Sequence, residues 1–137
     1  FYKNNKIDEN YNIKIFNKNI YEIKLKIDNL YFSKKYNKII KMLGENKFSE
    51  ISEKNKELLK YYLASSLYKV GDYDNAINLI NSLEKEEENH MLLIMIYEAM
   101  DNKKILKEQY INFIQLYPNS EYINLAKIKI NMLNKQL

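Results

Sequence analysis

His90 is the one histidine in this 137-residue chain, and there is no cysteine. Any nucleophile activated by an imidazole would have to use His90, and thiolate or zinc-thiolate chemistry is closed. Four carboxylates, Glu84, Glu86, Glu87 and Glu88, could offer oxygen ligands to a hard cation. Consecutive positions at a helix end point in different directions, however, so the cluster reads as a solvated charge run. Gly44 and Gly71 stand alone, without the glycine-rich frame that cradles a phosphate. Thirteen tyrosines and five methionines invite a ligand-pocket reading, but helix packing accounts for most of them. We therefore expect no enzyme activity, no catalytic residue, no cofactor and no metal site.

Composition narrows the fold that positions these residues. Two glycines and one proline are too few for the many turns of a sheet protein and suit helices joined by short polar loops. The length is that of one domain. All 22 basic residues are lysine, 14 of them in residues 1–60 against 8 acidic residues, net +6; residues 61–137 are net −2. A lysine-rich front half can attract phosphate, but without arginine there is no planar fork for bidentate contact to phosphate or guanine. Nucleic acid is therefore not the expected partner. No apolar run approaches the roughly 20 residues of a membrane span, so no direct insertion is expected. A start at Phe1 rather than methionine leads us to expect an upstream segment, where any targeting signal would lie.

The run from Tyr61 to Leu83 carries the clearest pattern. Leu63, Ala64 and Leu67 share one helix face by three- and four-residue spacing; Ala76, Ile80 and Leu83 share another. Between them Gly71 ends the first helix, and Tyr73 can fold back over the pair. This arrangement resembles the tetratricopeptide repeat, a helix-turn-helix unit. With Gly71 as the turn position, His90, Leu93, Ile94 and Tyr97, then Leu106 and Tyr110, and finally Pro118 align as a second copy in which Asp101 takes the place of the turn glycine. An earlier copy spans residues 30–43, matching Leu30 to Leu67, Tyr36 to Tyr73 and Ile39 to Ala76, with Lys34 at the turn. Turn spacing is then 37 and 30 residues, against about 34 in the regular family.

The resemblance implies an all-α fold of antiparallel helix pairs in a short right-handed superhelix over residues 20–137, with units at about 20–53, 57–86 and 87–119. A closing helix follows at 120–136, capped by Asn119 or Ser120 after Pro118. Its apolar stripe is Tyr122, Leu125, Ala126, Ile130 and Leu133. The same C-terminal stretch is similar to repeats of bacterial envelope proteins, the Tol-Pal coordinator and outer-membrane assembly lipoproteins, which favours an envelope or periplasmic setting over the cytoplasm. Residues 1–19 read as an extension, partly disordered or strand-like. Tyr11–Phe16 and Tyr21–Ile27 alternate as a β-hairpin would, while Ile20, Ile23, Ile27 and Leu30 fit a helix equally well.

In this family the first helix of each unit lines a concave groove. The groove positions correspond to Tyr61, Tyr62, Ser65, Tyr68 and Lys69, then to Met91, Leu92, Met95 and Glu98. The resemblance thus implies a scaffold binding a protein partner on an aromatic and apolar surface, with self-association as a further possibility. The alternatives from other classes are a nucleic-acid binder using the lysine-rich half and an accessory domain of a larger enzyme.

Overall fold

A computed structural model of the chain describes residues 20–44 and 52–137. Among them are seven helices and no strand: α1 (Ile20–Phe32), α2 (Tyr36–Leu43), α3 (Glu53–Lys69), α4 (Tyr73–Asn81), α5 (Glu87–Ala99), α6 (Lys103–Leu116) and α7 (Ile123–Gln136). The all-α expectation holds, with helical, repeat-like character. The alternating run Tyr21–Ile27 is helix and not the second strand of a hairpin; Tyr11–Phe16 lies outside the described residues. The reason is visible in burial: Ile23 and Ile27, four apart, are buried, while Tyr21 and Leu25 are exposed, which is helical rather than strand segregation.

Three of the connections are built alike. Lys34, Gly71 and Asp101 have φ of 59°, 85° and 55°, the positive values found among the described residues. Each sits just past a helix whose last carbonyls it helps to satisfy. The amide of the following residue donates five residues back, Lys35 to Leu30 O at 2.8 Å, Asp72 to Leu67 O at 2.9 Å and Asn102 to Tyr97 O at 3.2 Å. The left-handed residue itself donates three back, to Tyr31, Tyr68 and Glu98 carbonyls at 3.0, 3.0 and 3.1 Å. These are Schellman caps, which reverse the chain in the fewest residues. The residues five and nine past each left-handed position are buried: Ile39 and Leu43, Ala76 and Ile80, Leu106 and Tyr110. One cap and one burial register thus recur three times.

The chain divides into two compact units, one ending at Asp72 and one spanning Tyr73–Leu137. In the first, α2 packs on α3 and α1 packs on both; Ile27, Ile39, Leu43 and Leu59 are wholly or almost wholly buried. Two side-chain hydrogen bonds stitch α1 to α3: Tyr62 Oη donates to Asp28 Oδ1 at 2.8 Å, and the Tyr31 and Ser65 hydroxyls lie 2.6 Å apart. In the second unit α6 lies against both α5 and α7, and α4 against α5. Its core is Ile94, Leu106, Tyr110, Phe113, Ala126 and Leu133. A buried side chain of this size contributes about 1.5–3 kcal/mol, and a neutral hydrogen bond about 1 kcal/mol, so apolar burial holds each unit and the polar pairs fix its register.

The last helix begins later than expected. Neither Asn119 nor Ser120 caps it: Ser120 Oγ accepts from the Tyr122 amide at 3.1 Å, a reach of two residues that makes a turn, where an N-cap reaches two or three residues into the helix it starts. Helix α7 therefore opens at Ile123 with Tyr122 at its N-cap.

Gly71 is the cap where glycine removes strain, and a Cβ there would meet nothing within 4 Å, so backbone strain alone decides its substitution. Gly71→Ala is expected to cost about 1 kcal/mol, read as a lowered melting temperature. Lys34→Gly should raise stability by about 0.5 kcal/mol, the relieved strain exceeding glycine's greater unfolded entropy; Asp101→Gly should gain less, because aspartate tolerates the left-handed region better. Ala76 is fully buried, so Ala76→Arg, overpacked and charged, should cost roughly 3 kcal/mol or more and appear as a collapsed thermal transition.

Candidate functional site

Met91, Met95 and Glu98 recur at four- and three-residue steps on α5 and so share one face. Across from them α7 brings Tyr122, Leu125 and Lys129, and the six line a cleft of about 210 Å³. Its floor is the core itself, through Ile94, Tyr110, Phe113 and Ala126. Met95 and Leu125 keep 44% and 51% of their surface exposed, unusual for large apolar side chains facing each other across a concavity.

One end of the cleft is polar. Tyr110 Oη donates to Glu98 Oε2 at 3.4 Å, and Lys129 Nζ stands 3.9 Å from the same oxygen. Burial raises the Tyr110 hydroxyl to about 12, with the Glu98 charge and hydrogen bond adding to it, so it is a fixed donor at neutral pH. The arrangement offers an adaptable thioether and aliphatic surface with a charge pair at its edge. It suits recognition of an apolar side chain better than proton transfer.

The remaining groove positions divide. In the first unit, Ser65 is buried and bonded to Tyr31. Tyr62 donates to Asp28, and its hydroxyl is pushed up to about 12, chiefly by burial and then by that carboxylate. Both therefore serve packing rather than an open surface. Tyr61 is half-buried, edge to face with Tyr62 at 6.4 Å; Tyr68 is half-buried with Lys69 Nζ 5.7 Å from its ring centre, and Lys69 is exposed. Leu92, expected on the groove, is buried, whereas its neighbour Leu93 is half-buried. The one-residue exchange turns the helix by about 100°, enough to move a side chain from the open face to the closed one. Sequence reasoning placed Leu125 in a packing stripe and did not assign Tyr122 or Lys129 to a site; exposure on the last helix depends on neighbours that its own pattern does not name.

His90 lines a second cleft of about 350 Å³ with Asn81, Asn89, Gln109, Asn112 and Gln115, the charged Glu84, Lys85 and Glu86, and the apolar Leu83, Leu93 and Leu116. Its Nε2 donates to Gln109 Oε1 at 3.0 Å. Phe113 and Tyr117 meet the ring edge to face at 5.6 and 5.8 Å. The residue is a packed ring with its polar atom engaged. Glu84 and Glu86 fall in the connection before α5, and Glu87 and Glu88 in its first turn, where a helix favours negative charge. Among the described residues no group of carboxylates and histidine is placed to hold a metal ion.

Burial lowers the His90 pKa below 6.5, assisted by the Lys85 charge and opposed by the Gln109 hydrogen bond. The folded form therefore resists protonation more than the unfolded chain does. The stability of the neutral ring is fully present above pH 6.5 and is lost as pH falls through the lowered folded value. Thermal melts of wild type and His90→Gln between about pH 8 and 5 should show the wild-type advantage shrinking toward acid; a constant difference would mean that His90 titrates as if exposed.

No protein-family model matches the chain, and neither a curated protein nor a solved structure does.

Proposed function

We propose that this chain is a noncatalytic interaction module of tetratricopeptide type that holds another protein through the cleft between α5 and α7. The observation that carries the reading is the pair of half-exposed apolar side chains, Met95 and Leu125, facing one concavity with the Glu98 and Lys129 charges at its edge. The three like caps at Lys34, Gly71 and Asp101 and the burial register they share support the repeat assignment. Methionine repacks around irregular partners, and Tyr122 adds area and a hydroxyl at low entropy cost. The binding step is burial of a partner's apolar anchor over Met95, with its polar flank meeting Glu98 and Lys129. Without arginine the lysine-rich front half has no planar fork for phosphate or guanine, so the protein-binding reading is preferred to nucleic acid.

Affinity capture from native extract with the full chain, wild type against Met95→Ala/Tyr122→Ala, tests this. Both side chains are exposed by more than a third, so the melting temperature should change little, by about 0.5 kcal/mol in stability for each site. Loss of an interface anchor should weaken the captured partner by about 2 kcal/mol, roughly thirtyfold in Kd. Equal capture by both forms would remove the cleft as the interface, and nucleic-acid binding that survives about 0.15 M salt would favour a different function.

A further inference from the structure

The cleft that His90 lines shares no residue with the one between α5 and α7, and none of the groove positions read from the repeat lies on it. Its walls come from the end of α4, the connection that follows it, and α6. Helix α5, which packs against both α4 and α6, adds Asn89, His90 and Leu93. What distinguishes the lining is its carboxamides. Two are fixed within the fold: Gln109 Oε1 accepts from His90 Nε2 at 3.0 Å, and Asn89 Nδ2 donates to the Glu84 carbonyl at 2.8 Å. Asn81, Asn112 and Gln115 are exposed and make no side-chain hydrogen bond among the described residues.

A side-chain carboxamide carries a carbonyl acceptor and two N–H donors, the same groups as a main-chain peptide unit, so it can take both bonds of a peptide at once. Gln109, Asn112 and Leu116 share one face of α6 by their three- and four-residue steps. At 1.5 Å per residue they span about 10 Å, the length of about three residues of extended chain. The open apolar wall is aliphatic, Leu93 half-buried and Leu116 51% exposed, because the His90 ring is packed edge to face with Phe113 and Tyr117. Such a wall suits an aliphatic side chain better than a sugar ring, which needs an open aromatic face. Charge adds a sign. Lys85 is the only lysine among the lining residues, against Glu84 and Glu86, and burial lowers the His90 pKa, so the ring adds no charge at neutral pH. The Tyr117 hydroxyl is raised first by burial and then by the Glu87 and Glu86 charges, which gathers negative charge at its end of the cleft. A phosphate or carboxylate is disfavoured there and a cation favoured.

We propose that this cleft binds an extended segment of another protein by its main chain, with a leucine-sized side chain against Leu93 and Leu116 and a lysine or arginine beside Glu86. The carboxamides of Asn81 and Asn112 supply the main-chain hydrogen bonds, and those of Gln109 and Asn89, already held, shape the wall. The site is separate from the cleft between α5 and α7 and does not rest on the reading given for it.

The test uses the full chain and three fluorescent peptides of about seven residues, roughly 24 Å when extended. Each is serine around a central leucine. The first carries lysine at both ends, the second glutamate at both ends, and the third repeats the first with its central amides N-methylated, which removes main-chain donors. At ~0.05 M salt the lysine peptide should bind at least about fivefold more tightly than the glutamate one, and Glu86→Gln should narrow that gap. The N-methylated peptide should bind at least about tenfold more weakly than its parent. Asn81→Ala/Asn112→Ala should weaken the lysine peptide at least about tenfold with an unchanged melt, because both side chains are exposed and alanine favours helix. Met95→Ala/Tyr122→Ala should leave it within about threefold, since the two clefts share no residue. Equal binding of the lysine and glutamate peptides, no binding of either, full affinity after N-methylation, or binding untouched by the carboxamide variant overturns the proposal. So does binding of maltose that the carboxamide variant abolishes, or a dimer in sedimentation that the same variant dissolves. If the peptides fail while Met95→Ala/Tyr122→Ala still loses its captured partner, the reading of the cleft between α5 and α7 stands and only this site falls.

Discussion

A chain that ends one helix and starts another within a few residues has to leave the right-handed region at one of them, and the three Schellman caps are where this protein does so. At Lys34, Gly71 and Asp101 the backbone turns left-handed, two otherwise orphaned carbonyls find donors, and the next helix starts two residues later. Everything downstream of the cap inherits its phase. The fifth and ninth residues face inward in all three cases, so Ile39, Ala76 and Leu106 are equivalent in burial although they differ in volume. Glycine meets this demand without steric cost at one cap only; Lys34 accepts strain at another, and Asp101 is intermediate.

The second constraint is polar. Tyrosines contribute to the packing of both units, and each buried hydroxyl must be matched. Tyr62 finds Asp28, Tyr31 finds Ser65 and Tyr110 finds Glu98; among the described residues no buried side-chain nitrogen or oxygen is left without a partner. The first two pairs cross from α1 to α3 and select one axial register where leucine and isoleucine contacts alone would tolerate sliding. The third reaches the wall of the cleft, so the same bond that satisfies the second unit's core also holds Glu98 beside Lys129.

The reading of the cleft as a partner seat follows from side chains that the core does not use. Helix α7 sets Ala126 and Leu133 in the second unit's core, while Leu125 stays open opposite Met95, and exposed apolar area facing a concavity marks a surface that another molecule can cover.

The sequence by itself determined the caps and their phase, because a helix reversal is a local event: turn chemistry at Gly71, repeat spacing to Lys34 and Asp101, and the apolar periods around them are all read within a dozen residues. It also excluded cysteine chemistry, whereas the packing of His90 against Phe113 and Tyr117 came only with the fold. It left the conformation of residues 20–27 open, since alternating and helical apolar patterns coincide there, and the packing of Ile23 and Ile27 decided for the helix. It could not say that Ser65 and Leu92 close inward while Leu93 stays half open, nor that Ser120 makes a turn in place of a cap. Those outcomes depend on which residues arrive from 12 to 34 positions away, as the Asp28–Tyr62 and Glu98–Tyr110 pairs do. The cleft itself belongs to the tertiary structure: Met95 and Leu125 carry no mark in sequence that they face each other, because burial and exposure are properties of neighbours and not of the side chain.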